Sequence, residues 1–385
     1  MPAQSRSRIF LSCRRRCYIG RYLIGMIFLN EFRWCAGSVS RNMLNATTEQ
    51  TRRTPNNFGA LRLIFAVLVI LSHSPELVDG NRSREILTRI FGTLSFGELG
   101  VDGFFLISGY LVTKSFLESR SAGEYFLKRV LRIYPGYVVA YLLCVLALGP
   151  FVGGQIAELS GAKLLWQIVI LREARMPGVF PGVQFPELNA SMWTIKYEFL
   201  CYLLVLAAGV AGLLSKRFIL FLLIVGSLVL SALHPNSTSV GFAGVFGCGA
   251  LFYLYRDRIR YDWRLAILAA CGLFVLLFSS WLATASVAIF GGYVLFWFAF
   301  NVTSPTLASV GQKVDISYGV YLYAWPVESL LIWLNPGISP WVGFIETTAI
   351  ASLFAFGSWW LVEKPFLSIK TKFIPGALAS GRKVP

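Results

Sequence analysis

Phe58-Gly-Ala-Leu-Arg62-Leu-Ile-Phe-Ala-Val-Leu-Val-Ile-Leu-Ser-His73-Ser74 is an apolar run with one cation near its start and one imidazole at its end. A run of this length and character reads as a membrane helix. His73 is one of only two histidines in the chain. Arg62 precedes it by eleven positions, on a helix three turns plus roughly 20°, so both side chains share one face about 16 Å apart. An imidazole at membrane depth is costly to solvate and can move protons near neutral pH. The spacing therefore predicts a polar stripe that runs from one membrane surface into the bilayer.

The rest of the 385-residue chain extends this reading. It is 56% hydrophobic and only 14% charged, well below the roughly 25% charged residues of a soluble domain. Ten apolar runs follow residue 57: approximately 58–74, 91–116, 131–152, 192–214, 218–233, 239–255, 265–282, 285–303, 317–334 and 341–362. The expectation is an all-α, polytopic bundle of about ten membrane helices, with the lipid bilayer as its solvent. The net charge of +16 does not indicate a nucleic-acid partner, because the cations fall between apolar runs and form no single basic face. Seven cysteines include no CxxC pair, and no HExxH-like cluster is present, so neither a disulfide framework nor a metal site is expected.

The gaps between runs set the topology. Segments 118–132, 215–217 and 256–264 each sum to +2, whereas 75–90 sums to zero and the gaps near His234 and Asn335 are uncharged. Cations gather on the cytoplasmic side, so both termini are predicted there. Residues 1–56, Arg-rich with only Glu31 and Glu49 as acids, read as a basic extension, disordered or upstream of a true start at Met43. A membrane domain is expected over 57–366 and a short cytoplasmic tail over 367–385. The longest outward loop, 153–191, contains Leu164–Leu171, too short to span and read as re-entrant or interfacial.

Four segments carry polar groups into apolar surroundings. Gly100-Val-Asp102-Gly-Phe-Phe-Leu-Ile-Ser108-Gly109 combines small residues suited to close helix approach with a carboxylate. Asp102 reads equally as a helix-start cap or as a partner of His73 or an arginine. Lys128-Arg129-Val-Leu-Arg132-Ile-Tyr134-Pro135 puts two guanidiniums on one face, suited to a diphosphate or to anchoring among headgroups. Ser191-Met-Trp193-Thr-Ile-Lys196-Tyr197-Glu198 embeds a carboxylate among aromatics, with Lys196 as a local partner candidate. Ser317-Tyr318-Gly-Val-Tyr321-Leu-Tyr323-Ala324-Trp325-Pro326 offers tyrosines that serve either a ligand or an interfacial belt. Glu363-Lys364-Pro365 reads as the stop of the last span.

Taken in order, Arg62-x10-His73 and these four segments, closed by Val362-Glu363-Lys-Pro365, resemble the acyltransferase family 3 membrane proteins, which modify bacterial surface polysaccharides. The resemblance covers residues 57–366. It implies an inner-membrane enzyme, without a tightly bound cofactor, that takes an acyl group, commonly acetyl, from cytoplasmic acyl-CoA to a hydroxyl of a glycan or lipid-linked glycan. Within that frame His73 is expected as general base, Glu198 or Asp102 as the group that orients it, and Arg62, Arg129 and Arg132 as holders of the CoA phosphates. Trp193, Tyr197, Tyr321 and Tyr323 are the expected substrate contacts. Ala324 departs from the family, which often has histidine there. A glycolipid or acyl-group transporter without transferase activity is the competing class, since a bundle with polar midplane residues serves that equally well.

Overall fold

The computed structural model describes residues 56–155, 160–234 and 237–373. The expected basic extension and most of the expected tail therefore lie outside the described residues. Within them the chain is all-helical.

Helix α1 spans Phe58–Asp79 and ends on Gly80 in the left-handed region. A short α2 (Ile86–Phe91) leads to α3 (Phe96–Leu117), and α4 (Ala122–Leu142) continues through a π-helical turn, Leu143–Leu148, into α5 (Gly149–Phe151). The long segment between α5 and the next helical turn carries α6 (Gly161–Val169). A 3₁₀ turn, Ala190–Thr194, opens α7 (Ile195–Val210), followed by α8 (Arg217–Leu233), α9 (Thr238–Leu254) and α10 (Trp263–Leu276). Then come α11 (Ala283–Ser286), a π turn over Val287–Gly291, α12 (Gly292–Asn301), short α13 (Pro305–Ser309), α14 (Ser317–Leu334) and α15 (Pro340–Ser358). A last π turn, Trp359–Glu363, joins α15 to α16 (Lys364–Phe373).

Each of the ten apolar runs falls on a helical segment. Among the described residues, five are long and apolar enough to cross a membrane by length and composition: Phe58–Asp79, Ala122–Phe151, Ala190–Val210, Ala283–Asn301 and Pro340–Ile369. Large apolar side chains such as Leu353, Leu361, Phe218 and Leu268 point outward, as lipid-facing residues do.

Three local expectations are corrected. Helix α3 starts on Ser95, whose hydroxyl accepts from Glu98 N in a reciprocal capping box; Asp102 lies inside the helix and caps nothing. Helix α4 starts at Ala122, nine residues before the expected run, so Arg129 and Arg132 sit in its body. The chain also does not stop at Glu363-Lys364-Pro365. Lys364 and Pro365 follow directly on the π turn, and the helix runs on to Phe373.

The pairing of α3 with α9 organises the centre. A Cβ on Gly109 would lie 1.9 Å from the Phe246 carbonyl oxygen, and one on Gly249 2.1 Å from that of Leu106. Only glycine permits this approach of two backbones. Helix α1 packs between α3 and α14, and α14 packs on α15. Helix α6 has no buried residue and lies on the surface, held to α4 by Tyr134 Oη donating to the Val169 carbonyl and by Tyr141 Oη donating to Gln167 Oε1.

Candidate functional site

Two cavities enter the bundle from opposite ends. The first, about 370 Å³, opens among the start of α1, the second half of α3, the body of α4 and the start of α14. The second, about 340 Å³, lies at the other end of α1, among the start of α3, the 3₁₀ turn and the facing ends of α8 and α9.

All three arginines expected to bind anions line the first cavity, together with Lys128. Asp315, in the loop before α14, accepts from Arg62 Nη2 at 2.9 Å and Arg132 Nη2 at 3.0 Å, while Ser317 Oγ donates to its other oxygen at 2.7 Å. Burial alone would raise the pKa of Asp315, but the two guanidiniums hold it down at about 2. Glu363 approaches Arg132 Nη1 at 3.9 Å. Arg129 differs: among the described residues it has no acidic partner. It donates to Ser115 Oγ at 3.2 Å, and its guanidinium lies over the Tyr125 and Tyr202 rings. Its Nε is buried and unbonded. A cation held in place by rings and a hydroxyl, without a counter-charge, is suited to an incoming anion.

Glu198 also lines the first cavity. Its Oε1 accepts from Ser108 Oγ at 2.9 Å and Tyr202 Oη at 2.5 Å. It is thus a member of the arginine-lined cavity and does not contact His73. Lys196 is not its partner; the ammonium lies 4.8 Å from the Tyr197 ring centroid.

His73 lines the second cavity. Its Nδ1 lies 3.0 Å from Glu76 Oε2, and Glu76 Oε1 accepts from Arg82 Nε at 3.0 Å. Arg82 reaches on to Glu98 at 3.6 Å. A carboxylate only accepts, so Nδ1 carries a hydrogen, and in the neutral ring the lone pair is then on Nε2. The Trp325 ring packs edge-on at 5.1 Å and limits rotation of the imidazole. Thus Glu76 holds the imidazole, where Glu198 or Asp102 was expected to. Asp102 lines the same cavity, yet among the described residues it pairs with neither His73 nor an arginine.

The expected substrate contacts separate. Trp193 lines the second cavity. Tyr321 lines both. Tyr197 packs against Trp193 and Phe242, and Tyr323 packs against Phe354; neither lines either of these two cavities. Ser191 anchors the 3₁₀ turn to α14: its carbonyl accepts from Tyr321 Oη at 2.6 Å, and its Oγ donates to Asn189 Oδ1 at 2.7 Å.

Sequence reading missed Glu76, Asp315 and Tyr202. Glu76 was recoverable, since three residues after His73 it shares the helical face. Tyr202 was recoverable by the same rule from Glu198, four residues before it. Asp315 had no local signal, because both of its partners are far away in the chain.

The chain matches the acyltransferase-domain family over residues 56–363. It is 30% identical over 338 residues to the O-acetyl transferase of Shigella phage Sf6, covering 81% of this chain and 96% of that one. It is 29% identical over 380 residues to Nodulation protein 10 of Rhizobium leguminosarum bv. viciae, covering 87% and 100%. An MFS-type transporter of Bacillus subtilis shares 39% identity over 61 residues, only 16% of this chain. No solved structure matches. The helical bundle, its two polar cavities and the match across most of its length make one case: the chain belongs to acyltransferase family 3 and is a membrane acyltransferase.

Proposed function

We propose that the protein moves an acyl group, acetyl in the first instance, from acyl-CoA in the arginine-lined cavity to a hydroxyl of a surface or exported glycan in the cavity around His73. The observation that carries this reading is the His73–Glu76 pair at 3.0 Å, facing a cavity that shares Val101 and Tyr321 with the arginine-lined one. The name of the phage relative, an O-acetyl transferase, supports ester formation at oxygen.

His73 Nε2 takes the hydroxyl proton as the oxygen attacks the thioester carbonyl. The C–O bond forms and the C–S bond breaks. The proton then passes from the imidazole to the departing thiolate, which leaves as CoA–SH. Glu76 stabilises the imidazolium between those steps. Arg129, without a counter-charge among the described residues, takes the CoA phosphates, with Arg62 and Arg132 lining the same cavity. The arginine-lined end is read as cytoplasmic, because the +2 segment 118–132 lies there. On this reading the enzyme works in a bacterial inner membrane.

Mass spectrometry of surface glycans from cells with and without the gene tests the reading. The expected result is an acyl mass present with the wild type and absent with His73→Ala, both proteins being found in the membrane in equal amount. Glycans unchanged by the gene would refute transfer to a glycan. Full acylation by the His73→Ala protein would remove His73 as the base.

A further inference from the structure

The two cavities have only Val101 and Tyr321 in common among their lining residues. These two side chains mark where the cavity of the arginines adjoins the cavity of His73. Beside Tyr321 the first cavity is lined by Phe104, and Val101, Phe105 and Ile107 add apolar surface from the same helix. On the proposed function, the CoA phosphates lie against the cations and the acyl group points at this apolar surface.

Neither side chain yields easily. Tyr321 is fixed at its tip, where its hydroxyl donates to the Ser191 carbonyl and accepts from Thr194 Oγ1, both at 2.6 Å. Its ring meets Phe104 edge-on at 6.0 Å, and Phe104 meets Phe65 in the same way at 6.0 Å. The α14 backbone beside it is tied to the 3₁₀ turn by Asn189 Nδ2, which donates to the Leu322 carbonyl at 2.8 Å. Val101 is β-branched and so has one favoured rotamer on a helix. Its helix cannot back away, because a Cβ on neighbouring Gly100 would already lie 2.8 Å from the Phe65 carbonyl oxygen of α1.

We infer that Val101 and Tyr321 form a size filter that sets the length of the acyl group transferred. The inference rests on the proposed use of acyl-CoA. A short acyl group passes between a valine methyl and a clamped ring; each further methylene meets side chains whose displacement breaks a hydrogen bond or a helix contact.

Membrane vesicles from cells that make the protein and its own surface glycan test this. They are supplied with radiolabelled acetyl-, propionyl-, butyryl- or hexanoyl-CoA, and label reaching glycan is counted against vesicles lacking the gene. The wild type is expected to lose about tenfold or more per added methylene. Val101→Ala should raise the butyryl-to-acetyl ratio by about tenfold. Tyr321→Phe, which keeps the ring but releases its tether, should raise it by less. Val101→Phe should stop transfer of every acyl group, while acetyl-CoA still protects the purified variant against thermal unfolding. A wild type that uses hexanoyl-CoA as well as acetyl-CoA would overturn the filter, without any variant needing to fold. So would a folded Val101→Ala protein with an unchanged ratio. In both cases the acyl-CoA reading would stand. Absence of gene-dependent label from every donor would instead overturn the acyl-CoA reading, and the filter with it.

Discussion

Pro326 has no N–H to give the carbonyl of Leu322, and Asn189 supplies one from a loop 133 positions away. Asn189→Leu would leave that carbonyl buried and unbonded, at a cost of about 1–3 kcal/mol. Its unfolding midpoint in detergent should fall below that of the wild type; an unchanged midpoint would mean that α14 finds another donor. The same scale separates Glu76 from Glu198, the carboxylate that the sequence offered to the imidazole. Glu76→Gln keeps an oxygen that can accept from His73 Nδ1 but removes the negative charge that stabilises the imidazolium, so turnover should fall by about ten- to a hundredfold with a changed pH profile and unchanged acyl-CoA affinity. Glu198→Gln, whose partners are Ser108 and Tyr202, should leave the shape of that profile alone. If the two variants alter the pH profile equally, Glu198 is coupled to the imidazole after all. In the sequence Glu76 counts only as one of the charges that cancel within 75–90, and that tally conceals the helical register which brings it to His73. His73, Arg62, Arg129 and Arg132 were legible because polar groups in apolar runs stand out. Their partners were not, because acids at helix ends and in loops look like ordinary surface charge.

At the scale of elements, helix packing depends on where a side chain is absent. Gly109→Ala would drive a methyl group to 1.9 Å from the Phe246 carbonyl oxygen, which no rotamer change relieves. Separation of α3 from α9 should cost about 1–3 kcal/mol and lower the fraction of protein that is monodisperse on size exclusion. Gly123→Ala is the matched control, because its Cβ would meet nothing closer than Ser121 Oγ at 4.0 Å. There the gain in helix propensity should raise stability by about 0.5–1 kcal/mol. Equal behaviour of the two variants would show that α3 and α9 tolerate a wider separation. The sequence marked the small residues of 100–109 as a packing face but could not name α9 as the partner, since glycines recur through the apolar runs. The π turn over Trp359–Glu363 was equally hidden. One extra residue in a turn leaves the hydrophobic pattern intact while it rotates Glu363 inward towards Arg132.

Across the whole molecule, Asp315 ties together α1 through Arg62 and α4 through Arg132, and Ser317 carries the tie into α14. A neutral inter-helix segment gives no hint of this, because the pairing depends on how distant runs assemble around one cavity mouth. The carboxyl is held from its ordinary 3.8 down to about 2 despite its burial. Its folded-state pKa being the lower one, the stabilisation is complete above the ordinary value and is lost as pH falls towards 2. Asp315→Asn removes the tie at every pH and leaves two guanidiniums facing each other. At pH 7 the variant should be less stable than the wild type by at least about 2 kcal/mol. The difference should narrow between pH 4 and pH 2, where the wild-type carboxyl takes up its proton and comes to resemble the amide. Unfolding midpoints of both proteins in one detergent, recorded from pH 7 down to pH 2, measure this directly. A gap that stays constant over the whole range would mean that the amide variant fails through shape and hydrogen bonding alone, and that the charge on the Asp315 carboxylate contributes nothing to holding the helices together.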